Sequence, residues 1–100
     1  MTESKIRFDL GQVVPTPGAL EALARNESDP HEYLSRHAAG DWGSVCAEDK
    51  AANDEAVKTG ARILSVYLLP DRTTIWVVTE AVVDDEGTRP STTFLRPCEY

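Results

Sequence analysis

Arg62-Ile63-Leu64-Ser65-Val66-Tyr67-Leu68-Leu69, a break at Pro70-Asp71-Arg72, and Thr73-Thr74-Ile75-Trp76-Val77-Val78-Thr79-Glu80-Ala81-Val82-Val83 are two runs rich in β-branched and aromatic residues. Such residues favour a pleated, half-buried backbone, and the short break is hairpin distance, so the runs predict two antiparallel strands. Asp84-Asp85-Glu86-Gly87 reads as a second turn and Ser91 to Arg96 as a third strand that Pro97 ends. The C-terminal half is therefore expected to be a three-stranded antiparallel meander.

Working back from Arg62, the period changes from two to that of a helix. Gly60 closes a stretch from Ser44 to Thr59 rich in Ala, Glu, Asp and Lys, with Val45, Ala52 and Ala56 on its apolar side, which predicts a thinly amphipathic helix. Asp29-Pro30 followed by Glu32 predicts a second helix over Pro30 to Ala38, stopped by Gly40. Thr16-Pro17 predicts another from Pro17 to about Arg25, burying Leu20, Leu23 and Ala24. Ile6, Phe8 and Leu10 alternate with charged residues as in a half-buried strand, continuing irregularly to Val13 and Val14 past a break at Gly11. Helices grouped before the meander predict an α+β domain: an N-terminal strand, three short helices, then three antiparallel strands with the helices on one face.

With 100 residues there is room for one domain, residues 1–100, and one modest core. A two-lobed nucleotide-binding enzyme is excluded. Seventeen acidic against ten basic residues give a net charge of −7, so the chain is not expected to bind nucleic acid nonspecifically, which needs clustered Lys and Arg. Residues 28–60 carry most of the excess, seven acidic against three basic. No apolar run is long enough to span a bilayer and the segment Met1 to Asp9 is polar, which reads as a cytoplasmic protein without a membrane partner. Cys46 and Cys98 lack metal or redox spacing and are expected as free thiols. No cofactor or metal is implied.

The most distinctive string is His37-Ala38-Ala39-Gly40-Asp41-Trp42-Gly43. Functionally, Asp41 would orient the His37 imidazole as a general acid or base near neutral pH. Structurally, Gly40 would form the left-handed cap of the second helix, His37 would sit at the helix end, and Trp42 would plug the core. The structural role is the expected one, with a cost of about 3 to 5 kcal/mol for losing Trp42 and about 1 kcal/mol or less for losing His37. His31 and His37 lie about 240° apart around a helix, so they do not share a metal. Glu48, Asp49 and Asn53, with Asp41 and Trp42, form the candidate binding surface, although charge runs of this kind are ordinarily solvated. Arg62 or Arg89, among Ser65, Tyr67, Thr79, Ser91, Thr92 and Thr93, would with His37 supply the charge clamp of a metal-independent ribonuclease.

Thr16-Pro17-Gly18-Ala19-Leu20-Glu21-Ala22-Leu23, the His-x-x-Gly-Asp-Trp-Gly string and Ile75-Trp76-Val77-Val78-Thr79-Glu80-Ala81 together resemble a family of small bacterial proteins labelled "plasmid-related" or hypothetical. Some relatives carry the label type I restriction subunit M, which the chain does not fit: it has neither a cofactor-binding α/β domain nor an Asn/Asp-Pro-Pro-aromatic tetrapeptide. The resemblance implies a small accessory protein of plasmids or other mobile elements and supplies no catalytic residues. The expected function is that of a non-enzymatic interaction protein that meets a host or defence protein through an acidic surface. The alternative is a small ribonuclease or toxin-like effector using His37, Asp41 and an arginine.

Overall fold

Thr16 stands at the start of the first helix, α1 (Pro17–Arg25), and its Oγ1 accepts the Ala19 N–H at 3.2 Å. Proline at the first helical position costs no hydrogen bond there, so cap and proline together set the start. Asp29 begins α2 (Pro30–Ala38) in the same way, taking the His31 N–H at 2.9 Å. The end of α2 is a Schellman motif: Gly40, at φ +93°, donates to His37 O, and Asp41 N–H reaches Arg36 O at 2.8 Å. The third helix, α3 (Ala47–Thr59), starts later than its composition predicts, after Cys46, and Gly60 ends it at φ +87°. These are observed in a computed structural model that describes residues 7–100.

The strands are β1 (Gln12–Pro15), β2 (Ile63–Leu68), β3 (Thr74–Thr79) and β4 (Ser91–Leu95), joined in one sheet of order β1-β4-β3-β2. β2 pairs antiparallel with β3 and β3 with β4, whereas β1 lies parallel to β4. The molecule is α+β as expected, with a four-stranded mixed sheet in place of a three-stranded antiparallel one. The N-terminal strand is also displaced. Ile6 lies outside the described residues, and Phe8 and Leu10 are in irregular chain. Gly11, at φ +64°, breaks the backbone there. Its bare Cα lets the chain press against Arg89 and Pro90, where a Cβ would stand 2.2 Å from Arg89 O, and pairing begins one residue later.

Alternation along the strands sends Ile63, Ser65 and Tyr67 of β2, Ile75, Val77 and Thr79 of β3, and Thr92 and Phe94 of β4 to one face, where all eight are buried. Two apolar clusters form there. Ala19, Ala22 and Leu23 of α1 and Tyr33 of α2 pack with Tyr67, Leu69, Ile75, Val77 and Phe94. Phe8, Trp42 and Ala56 of α3 pack with Ile63. The three helices therefore share one face. The buried stripe of α1 is rotated from the expected one, leaving Leu20 51% exposed and Ala24 exposed, and on α3 the buried pair is Asn53 and Ala56 rather than Ala52 and Ala56. The opposite face receives the C-terminal turn Pro97–Glu99, with Tyr100 edge-on to Trp76 at 5.3 Å.

Candidate functional site

His37, the residue on which acid–base chemistry would depend, is fully buried beneath the sheet. Its Nδ1 meets Ser65 Oγ at 2.5 Å and its Nε2 meets Thr79 Oγ1 at 2.8 Å. Thr79 Oγ1 lies 2.7 Å from Thr92 Oγ1, which donates to the Leu10 carbonyl at 2.6 Å. Proton accounting orients the whole chain of bonds. A carbonyl only accepts, so the single Thr92 proton goes to Leu10 O, and Thr92 must accept from Thr79. Thr79 then accepts from His37 Nε2–H, which leaves Nδ1 as acceptor for the Ser65 hydroxyl. Every member is satisfied with a neutral imidazole. Burial first, and the nearby Arg89 charge second, push the His37 pKa down to about 3.

Asp41 does not orient this ring. Its carboxylate accepts from Arg36 Nε at 2.8 Å and from Gly43 N–H at 3.2 Å, and the Arg36 bond holds its pKa below the usual carboxylate value. Arg89, a candidate charge clamp, is 2% exposed. Its Nη1 donates to Ala61 O at 2.7 Å and Glu80 O at 3.1 Å, its Nη2 donates to Ala56 O at 3.1 Å, and its guanidinium lies over the Phe8 ring, 5.5 Å from the centroid. That guanidinium joins the end of α3, the approach to β2 and the exit from β3. A cation at the last carbonyls of a helix is favoured by the helix dipole, which explains why arginine is stable there. Arg62, in contrast, is exposed and lies over the Tyr100 ring. Ser65, Tyr67, Thr79 and Thr92 point inward while Ser91 and Thr93 are their outward-facing alternates, so the hydroxyl set is divided between two faces. The expected constellation of His37, Asp41, Arg62 and Arg89 is not brought together at any surface.

The candidate binding residues also separate. Glu48 and Asp49 are exposed on α3, but Trp42 is 2% and Asn53 6% exposed. Trp42 donates Nε1–H to Asp54 at 3.0 Å and sits 5.8 Å from the His37 ring, fulfilling the inward role expected of it. Trp42 O accepts from Val66 N–H, Ser44 N–H donates to Val66 O, and the Asn53 amide both donates to Leu64 O and accepts Leu64 N–H. The Gly-Asp-Trp-Gly loop and Asn53 thus occupy the free edge of β2, which would otherwise be a template for another strand.

One accessible concave surface is apolar. Val13, Pro15, Leu20, Leu23, Pro30, His31, Leu34 and Phe94 line a groove of about 210 Å³ between β1, α1 and α2. Leu20, expected among the buried residues of α1, lines this groove instead because Ala19 and Ala22 join Leu23 in the buried stripe. Among the described residues no group of three or more His, Cys, Asp or Glu is placed to hold a metal ion, and no helix is long and apolar enough to cross a membrane. Cys46 and Cys98 are free and exposed. Comparison with family models, curated proteins and solved structures finds no match to this chain.

Proposed function

We propose that this chain is a non-enzymatic interaction protein, the accessory role that its resemblance to plasmid-borne proteins implies, and that it receives one large apolar side chain of a protein partner in the groove between β1, α1 and α2. The groove carries this reading. Its walls are almost wholly apolar, and Leu20 and Val13, at 51% and 40% exposed, leave hydrophobic surface in water. An apolar cavity of about 150 Å³ already accepts a benzene ring, so 210 Å³ suits one aromatic or branched aliphatic anchor. The net charge of −7 favours a partner of net basic character. The burial of His37 and Arg89, and the hydrogen bonds each makes within the fold, weigh against the ribonuclease alternative.

The test compares immobilised wild-type chain with Leu20→Asp in capture from a host lysate, followed by reconstitution with the purified partner. A host or defence protein retained by wild type and released by Leu20→Asp, with the fold intact by circular dichroism, is the expected result. Retention of no specific partner, or equal retention by both chains, would overturn the proposal.

A further inference from the structure

One surface hollow runs against the overall charge of the chain. It lies between α3 and the loop after α2, measures about 400 Å³ and is lined by Arg7, Gly40, Lys50, Asp54, Val57 and Lys58. A chain with ten basic residues and net charge −7 gathers three of those cations here around one carboxylate. Lys50, Asp54 and Lys58 recur at four-residue spacing with Val57 beside them, so one side of α3 forms a wall. The facing wall includes Gly40, which lies against the Arg7 side chain: a Cβ there would come within 2.5 Å of Arg7 Nη1. Arg7 is itself anchored by its N–H on Ala38 O at 2.9 Å.

The carboxylate is already engaged. Asp54 Oδ1 accepts the Trp42 indole N–H, and Oδ2 faces Lys50 Nζ at 3.5 Å. The pair offset one another, leaving Arg7 and Lys58, neither of which forms an ion pair among the described residues. An adjoining hollow shares Arg7 and Lys58 and adds Arg89 with Asp9, Asp84 and Asp85, so it carries no excess of either charge. An arginine fork grips oxyanion oxygens in pairs, and lysine adds a point charge. A polyanion would be repelled by the rest of this surface, whereas one phosphate group needs only local charge. The geometry points to a binding site for a small phosphorylated molecule, its phosphate held between Arg7 and Lys58 against Val57. The hollow shares no lining residue with the apolar groove, so either site can fail without the other.

The experiment is titration of the full chain with inorganic pyrophosphate at low ionic strength, followed by calorimetry and by amide chemical shifts. Saturable binding is expected, with shifts centred on Arg7, Gly40 and Lys58 and weakening as salt is raised. Arg7→Ala and Lys58→Ala should each weaken it by about tenfold or more, Lys58→Arg should retain it, and Arg72→Ala, in the hairpin turn, should leave it unchanged. Absence of saturable binding, survival of binding in the Arg7→Ala/Lys58→Ala double variant, or equal weakening by Arg72→Ala would overturn the site. Unchanged melting temperatures in these exposed-residue variants separate lost binding from lost fold.

Discussion

His37 donates its Nε2 proton to Thr79 Oγ1 across 2.8 Å, in a bond that the rest of the buried network leaves no freedom to reverse. A protonated ring would put a proton where Ser65 already donates, and would bury a charge beside Arg89. The folded-state pKa of about 3 against an ordinary 6.5 makes the unfolded chain the better proton binder between those values. The stabilisation is therefore complete above about pH 6.5 and is lost as pH falls toward 3, with a slope approaching 1.4 kcal/mol per pH unit, about one proton's worth. Urea unfolding between pH 8 and 4.5 should show that slope in wild type, and His37→Gln should flatten it. His37→Ala should cost about 3 to 5 kcal/mol at pH 7.5, well above the helix-end figure, because it opens a cavity, leaves the Ser65 hydroxyl without its acceptor and takes away the donor to Thr79. Equal pH dependence in wild type and His37→Gln would refute the buried neutral role.

Arg89 supplies a second stability test. Its guanidinium satisfies the carbonyls of Ala56, Ala61 and Glu80, so Arg89→Met should leave all three without that donor and cost about 3 kcal/mol or more. Arg89→Lys should recover part of this, since an ammonium reaches fewer of the three. A phosphate-clamping arginine would behave in the opposite way, tolerating Met with little change in the unfolding midpoint.

Local signals carried much of the fold. Thr16-Pro17, Asp29-Pro30, Gly40 and Gly60 mark helix ends because caps and positive-φ glycines act within a few residues. What stayed hidden depends on distant partners. β1 pairs in parallel with β4 across some eighty residues, and no short-range pattern announces a parallel edge. Glu99 is a similar case: its carboxylate accepts from Thr16 Oγ1 at 2.6 Å and Gly18 N–H at 3.0 Å, tying the C-terminal turn to the start of α1. For the candidate site, the sequence names His37 and Arg89 without showing that both are buried. Their surroundings are not legible there, because charge and hydrogen-bonding capacity look alike at a helix end, in an active site and in a buried network until burial is known. Trp42 was legible in its role, since a large aromatic between glycines has space to turn inward.

Trp42 should be the costliest single truncation in the loop. It packs with Phe8 and Ile63 and holds Asp54, whose pKa its indole N–H lowers more than any other contact. Trp42→Ala should lose about 3 to 5 kcal/mol, and Trp42→Phe less, as most of the ring contact survives. Chemical denaturation of both variants at pH 7 measures this directly. A Trp42→Ala midpoint close to wild type would make the loop a binding feature rather than a structural one.

Gly43 and Gly87 provide a matched pair for testing how the edge of β2 is protected. Both have positive φ, +76° and +82°, so an alanine at either place carries a similar backbone penalty of about 1 to 2 kcal/mol. Their surroundings differ. A Cβ at Gly87 meets nothing within 4 Å, whereas at Gly43 it would stand 2.0 Å from Val66 O and 2.7 Å from the Tyr67 ring. Gly43→Ala must therefore push the loop off β2, breaking the bonds from Val66 N–H to Trp42 O and from Ser44 N–H to Val66 O. The expected loss is about 3 kcal/mol or more against about 1 to 2 kcal/mol for Gly87→Ala. Freed of its cover, the β2 edge would present unpaired backbone groups to other copies, so Gly43→Ala should also show concentration-dependent association by light scattering. Equal unfolding midpoints for the two variants, with both monodisperse, would mean that the loop does not guard the edge.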